Sequence, residues 1–395
     1  MALLLLGLPL LVHAGERLRW RDPEPLPPPP VEDPVVVEPV GPVEPPPPPA
    51  PPLFPTGVPI TLTQLPPGLA NVSAQGCNAC HYQAHDDWSR SGHRAAWVSP
   101  PFRAAMKATG ESPLCLSCHL PLTVQQPRLV EEYRGGPLTE AKTRENTAWD
   151  PTLQQEGVTC AACHVRDGVV VSTRAAPKAP HPVAVSEELG RSETCATCHQ
   201  LTWTGADKPF YDTYGEWSRS KWAEAGVRCQ DCHMPLQGGL VVAGRYEAQA
   251  SHRFTAEPGR GLSVLLKAQP GGATRGKPFK GTLTLQNTGA GHAIPTGTPF
   301  QALRVEVTLY DEKGKPVGAP FRHDLRREVM AAPPYTTLSD NRLQAGEERV
   351  VEVVIELPQK SGGGAGTLEV RLLEVGVDSS TSVPFSIQRI PIQVY

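Results

Sequence analysis

Long apolar runs, aromatic side chains and an excess of positive charge are all scarce in this sequence. Lys and Arg number 37 against 40 Asp and Glu over 395 residues, a net charge of −3, so the basic face that a nucleic-acid binder needs is missing. One long apolar run stands at the N-terminus and none follows it, which argues against a membrane-spanning helix in the rest of the chain. With 39% apolar and 6% aromatic residues, a chain long enough for two domains has modest material for a hydrophobic core. Proline is abundant, at 45 positions, and cysteine, at 10, is informative by its spacing.

Residues 3–12 are apolar and lead into Val12-His13-Ala14, a small-residue pattern suited to signal-peptidase cleavage before Gly15. Residues 1–14 therefore read as a signal peptide, against the competing reading of a buried N-terminal helix. No Lys or Arg precedes the run, and no Cys follows it to carry a lipid anchor. This reading puts the protein in the periplasm or outside the cell. Residues 15–62 form a Pro-rich linker, with unbroken proline at 27–30 and 45–49. Proline fixes φ and offers no N–H, so the stretch reads as an extended spacer. Either it associates the protein with the cell envelope, or it is a tail without a partner.

All ten cysteines fall into five pairs, each followed by histidine: Cys77-Asn78-Ala79-Cys80-His81, Cys115-Leu116-Ser117-Cys118-His119, Cys160-Ala161-Ala162-Cys163-His164, Cys195-Ala196-Thr197-Cys198-His199 and Cys229-Gln230-Asp231-Cys232-His233. With His at 12 of 395 positions, chance agreement at all five is on the order of 10⁻⁸, which calls for a chemical reason. Two thiols three residues apart reach the two vinyl groups of one porphyrin as thioethers, and the next residue presents an imidazole to its iron. Five covalently attached haem c groups are expected, with His81, His119, His164, His199 and His233 as proximal iron ligands. Zinc ribbons use CxxC motifs two by two and need no His after each, so five such motifs suit them poorly. Redox-active disulfides are the other competing reading.

The motifs span a region at 63–257 that reads as mainly α-helical and irregular. Its modest apolar content makes a poor core unless flat macrocycles supply buried surface. Intervals of 38, 45, 35 and 34 residues between first cysteines are too uneven for a solenoid. One local echo remains, Trp88-Ser89-Arg90-Ser91-Gly92-His93 and Trp217-Ser218-Arg219-Ser220-Lys221-Trp222. Residues 261–395 contain no cysteine and alternate with period two, as in Arg304-Val305-Glu306-Val307-Thr308-Leu309. About seven strands there suggest an all-β, immunoglobulin-like sandwich.

A haem iron with one histidine is open to a small molecule, whereas a second axial histidine makes it an electron carrier. The histidines available as distal ligands are His85, His93, His181, His252, His292 and His323. His93 reads as lying on a helix with Trp88 and Trp97, within reach of a haem next to the first. His181 sits in the rigid Ala179-Pro180-His181-Pro182, and His252 closes the motif region. His292 lies in a Gly/Pro-framed loop of the β-region. His85 follows His81 by one helical turn on the same face, so only an adjacent haem is within its reach. His323, between Arg322 and Asp324, reads as a surface residue. The fifth distal ligand stays open at this point.

The motifs His81 with Trp88-x-x-Ser91-x-His93, Gly157-Val158-x-Cys160, Cys195-Ala196-x-Cys198-His199-Gln200 and Cys229 through Met234-Pro235 resemble the multihaem cytochromes related to cytochrome c-554 and hydroxylamine oxidoreductase. The resemblance covers about residues 76–254 and implies a distal-ligand role for His93. The Gly291-His292-x-x-Pro295-Thr296-Gly297 loop resembles one in related cytochromes with a β-domain, which implies that His292 is a ligand inserted from the second domain. The Cys-x-x-Cys-Lys motif of ammonia-forming nitrite reductases is absent, and the motifs number five where hydroxylamine oxidoreductases have eight. The expected function is electron transfer between redox partner proteins through mostly bis-histidine haems, with no catalytic residue assigned. The alternatives are an oxidoreductase acting on a small nitrogen or sulfur oxyanion at one five-coordinate haem, and a partner-binding β-module on a haem scaffold.

Overall fold

The computed structural model describes residues 59–133, 138–203, 205–255, 260–376 and 385–395. The expected signal peptide, and the linker up to residue 58, lie outside them.

Helices in the first region are short, because caps and prolines punctuate the chain every few residues. Ser73 Oγ accepts the Gln75 N–H at the start of Ala74–Asn78, and Asp150 accepts from Thr152 and Leu153 at the start of Pro151–Gln154. Pro100–Ala108 and Pro113–His119 begin on proline, where the missing N–H costs nothing. The single helix expected to carry Trp88, His93 and Trp97 is broken. Tyr82–Ser89 ends, and Gly92–Ala95 begins on Ser91, whose hydroxyl takes the Arg94 N–H at 3.2 Å. No helix among the described residues is long and apolar enough to cross a membrane. Apolar side chains gather in small separate clusters, Val72, Leu122, Leu153, Ala161 and Val165 in one, Met106, Leu116 and Leu120 in another.

Among its described residues the C-terminal region has eight strands, where the sequence pattern suggested about seven: β1 (Leu262–Ala268), β2 (Phe279–Asn287), β3 (Ala302–Tyr310), β4 (Phe321–Val329), β5 (Thr337–Asp340), β6 (Glu348–Ile355), β7 (Gly364–Val375) and β8 (Phe385–Val394). They form two antiparallel sheets, β5-β4-β3-β7-β8 and β6-β2-β1. Inward residues alternate with outward ones, as in β2, where Phe279, Leu283 and Leu285 are fully buried. They meet Val305, Val307, Leu309, Leu368 and Val370 of the facing sheet in one continuous core, which makes the region a β-sandwich.

The outer face of the larger sheet carries charge in register. Glu306 is paired with Arg322 at 2.9 Å and Arg371 at 2.6 Å, Glu369 with Arg389 at 2.8 Å, and Arg304 with Asp324 at 2.6 Å, each across adjacent strands. His323 is corrected from the surface position expected of it. It stands opposite Val305 on the inward side of β4, half-buried, with Nε2 enclosed.

The described parts of both regions belong to one compact unit. Arg327 of β4 donates to the Pro209 carbonyl at 2.6 Å, and the Thr337 N–H donates to Asp207 at 3.0 Å. Trp203 and Phe210 pack edge to face or tilted against Tyr335 at 5.1 and 5.0 Å. The sandwich and the loop between the helices Glu193–His199 and Thr213–Ser218 therefore meet through both polar and aromatic contacts.

Candidate functional site

Each CxxCH motif lies on or beside a short helix: the second, third, fourth and fifth on Pro113–His119, Cys160–His164, Glu193–His199 and Cys229–His233. The first straddles the end of Ala74–Asn78, and His81 caps Tyr82–Ser89. His81, His119, His164 and His233 each donate Nδ1–H to a backbone carbonyl, of Val241, Ala96, Val171 and Thr255, at 2.9, 2.6, 2.8 and 2.7 Å. That fixes the tautomer and leaves the Nε2 lone pair free as a ligand. His252 and His292 do the same toward Ala250 and Ala293, at 3.0 and 2.9 Å.

Six histidines face each other in three pairs. Ring centroids are 6.3 Å apart for His93 and His199, 6.1 Å for His164 and His252, and 6.2 Å for His233 and His292. An imidazole–metal bond of about 2 Å on each side, with the nitrogen about 1.1 Å from its ring centre, separates two centroids by about 6.2 Å across one metal ion. The donor set therefore fits an iron held from both faces of a planar macrocycle, one imidazole of each pair coming from a CxxCH motif. Among the described residues no three His, Cys, Asp or Glu side chains converge, so the donors come as pairs. Burial and the facing imidazoles take His93 and His252 down to about 4, and burial lowers His164, His199 and His292. All are neutral at pH 7, the form that binds a metal.

Thiols of different motifs also meet. Cys77 lies against Cys160, Cys118 against Cys198 and Cys195 against Cys229. Hydrogen bonding within each pair lowers Cys77, Cys118 and Cys229 and raises the partner. No disulfide joins any of the ten. Cys163 adds its field to Cys195 and Cys198. The first motif thus neighbours the third, the third the fourth, and the fourth both the second and the fifth.

Buried polar groups hold these motifs together. Glu156 accepts the Ser73 and Thr159 hydroxyls, both at 2.6 Å, and the Ala74 N–H at 2.9 Å, tying the first motif to the third. The echo in sequence is a repeated bracket. Trp88 and Trp217 donate their indole N–H to the carbonyls of Val158 and Val227 at 2.8 and 2.9 Å, each two residues ahead of a CxxCH motif. The N–H groups of the same valines donate to the backbone carbonyls of His93 and Trp222 at 3.0 and 2.9 Å. Gly157 has φ of 62°, and a Cβ there would lie 2.8 Å from the His93 carbonyl oxygen. Gly-Val before the cysteine occurs in both copies and was a legible signal. Glu156 has no such signature.

The remaining candidates stand apart. The His119 ring stacks on Phe102, with centroids 3.6 Å apart, and neither it nor His81 makes a ring contact with another imidazole among the described residues. His85 lies 5.5 Å from Trp88. His181 lines an open groove of about 540 Å³ with Pro67, Gly68 and Val183, and its Nδ1 is enclosed without a hydrogen-bond partner.

Residues 76–165 match the family model described as cytochrome c554 and c-prime. No curated protein matches the chain. Among solved structures, a penta-heme cytochrome c552 from Thermochromatium tepidum is 18% identical, with 83% of this chain and 100% of that one covered at a TM-score of 0.59. The CARDB domain of a Pyrococcus furiosus protein matches 34% of this chain and 87% of its own at 14% identity, and its TM-score of 0.19 carries no argument.

Proposed function

We propose that this chain, a multihaem c-type cytochrome with a C-terminal β-sandwich, is an exported electron-transfer protein carrying five covalent haems, one on each CxxCH motif. The single observation that carries this reading is the set of three imidazole pairs 6.1–6.3 Å apart. In it, His93 caps the haem of the fourth motif, His252 that of the third and His292 that of the fifth. Two axial histidines saturate an iron and leave it one-electron chemistry only. When bound, the haems would supply the redox couples, while backbone carbonyls fix the tautomer of His164, His252, His233 and His292 and the thiol contacts bring the motifs side by side.

For the haem of the first motif, His181 and His85 remain the candidates. His181 is favoured because the backbone at Pro180 and His181 lies directly against Gly68, in the segment leading to that motif. The contacts between thiols support a path from the first motif through the third and fourth to the fifth, with the second branching from the fourth. Donor and acceptor would be redox proteins that approach exposed haem edges, and the Pro-rich linker would keep the protein near the envelope. A second reading, reduction or oxidation of a small nitrogen or sulfur oxyanion, is favoured at the second motif because no imidazole among the described residues faces His119.

A potentiometric titration of the exported protein, with haem counted by the pyridine haemochrome, tests both readings. Five haems and five one-electron steps, without turnover of nitrite, hydroxylamine or sulfite, are expected. Fewer haems overturn the assignment, and turnover moves the second reading ahead.

A further inference from the structure

We infer that Glu216 is a positioning residue for the haem of the fifth motif: it pins the loop that carries His292, so that seating the β-sandwich and filling that iron's sixth position are one event. This rests on the reading of His233 and His292 as partners on one iron.

Glu216 belongs to the helix Thr213–Ser218 of the first region and is buried. Its carboxylate takes donors from the other region. Oε2 accepts the Ala293 N–H at 3.1 Å and the Thr296 hydroxyl at 2.7 Å, and Oε1 accepts Arg342 Nη1 at 2.7 Å. The ion pair is enclosed, with the two side chains 11% and 4% exposed, and Arg342 is braced from behind by Asp340 at 2.8 Å. Ala293 is the residue after His292. On the other side of His292, Gly291 packs so closely on Trp217 and Trp222 that a Cβ would lie 3.0 and 3.3 Å from them. Asn287 holds the His292 carbonyl at 2.8 Å, and the hydroxyls of Thr213 and Thr296 share a hydrogen bond of 2.9 Å.

The loop is therefore gripped on both sides of the imidazole, and the charged grip is made by a helix that supplies no ligand itself. A carboxylate is suited to this place because every group around it donates. Removing it strands three buried donors, one of them a guanidinium, while an amide would turn its NH₂ toward one of them. A metal–nitrogen bond of about 2 Å tolerates little displacement of the ring, so loosening the grip is felt at the iron before it is felt in the sandwich.

The test uses the full-length holoprotein with its haem content verified, in Glu216→Ala, Glu216→Gln and the milder Thr296→Val. His292→Ala is the reference, and Glu306→Ala, which removes a buried carboxylate of the sandwich away from this loop, is the control. Electron paramagnetic resonance of the oxidised protein and carbon monoxide binding to the reduced protein are read. His292→Ala is expected to convert one haem per chain to a high-spin, carbon monoxide-binding form. Glu216→Ala should reproduce that signal, with Glu216→Gln and Thr296→Val giving it in part. Glu306→Ala should lower the melting temperature with unchanged spin states. If His292→Ala leaves every haem low-spin, the ligand reading falls and the inference with it. If His292→Ala opens a haem while the Glu216 and Thr296 variants keep the parent spectrum, the inference alone is overturned. Should Glu216→Ala fail to mature, the two milder variants decide.

Discussion

A single backbone position shows how closely the site is built. Gly157 adopts φ of 62° while the next residue, Val158, donates to His93 and accepts from Trp88. An alanine there pays for the left-handed backbone, about 1–2 kcal/mol, and its methyl meets the His93 carbonyl oxygen. Gly157→Ala should therefore lower stability by at least that amount, measured by denaturant unfolding of the holoprotein. An unchanged midpoint would show that the bracket relaxes freely. At this scale the five CxxCH motifs were legible because the pattern is local, of the span that attachment to one porphyrin would need. Three distal expectations, His93, His252 and His292, find facing imidazoles, while His85 and His181 do not. The difference is physical: a proximal ligand is specified by its neighbours in sequence, a distal one by a contact across the fold. Glu216 was invisible for the same reason, since its three donors come from residues 293, 296 and 342.

Among the secondary-structure elements, the two regions differ in what holds them. Short capped helices with scattered apolar clusters give the motif region little core of its own, whereas the sandwich closes its own core. Chain produced without haem attachment should therefore lose its helical circular dichroism and keep the strand signal; near-native helicity would contradict this. Within the sandwich, the Arg304 hydrogen bond holds the Asp324 carboxyl below the usual carboxylate range, against a smaller opposing effect of burial. Since the folded value lies below the unfolded one, the pair stabilises fully above the ordinary carboxylate range, and its contribution is lost as pH falls through the depressed value. Asp324→Asn should cost up to about 1 kcal/mol at neutral pH, with the difference vanishing in acid. A pH-independent difference in melting temperature would assign the effect to packing. Period-two alternation revealed the strands, but the helix expected through Trp88 and Trp97 broke at Ser91, where a capping hydroxyl outweighs the apolar spacing.

Across the whole molecule, three imidazole pairs and a chain of thiol contacts lie in one unit with a sandwich that contributes a ligand candidate of its own. The Glu216 contacts join the seating of the sandwich to the placement of the His292 loop. The central claim is that these pairs are axial ligand pairs. The measurement that bears on it most directly is electron paramagnetic resonance of the oxidised holoprotein, parent beside His93→Ala, His252→Ala and His292→Ala. The parent should show at least three low-spin haems, with each variant losing one low-spin signal and gaining one high-spin haem. A parent with fewer than three low-spin haems, or variants with unchanged spectra, would refute the pairing.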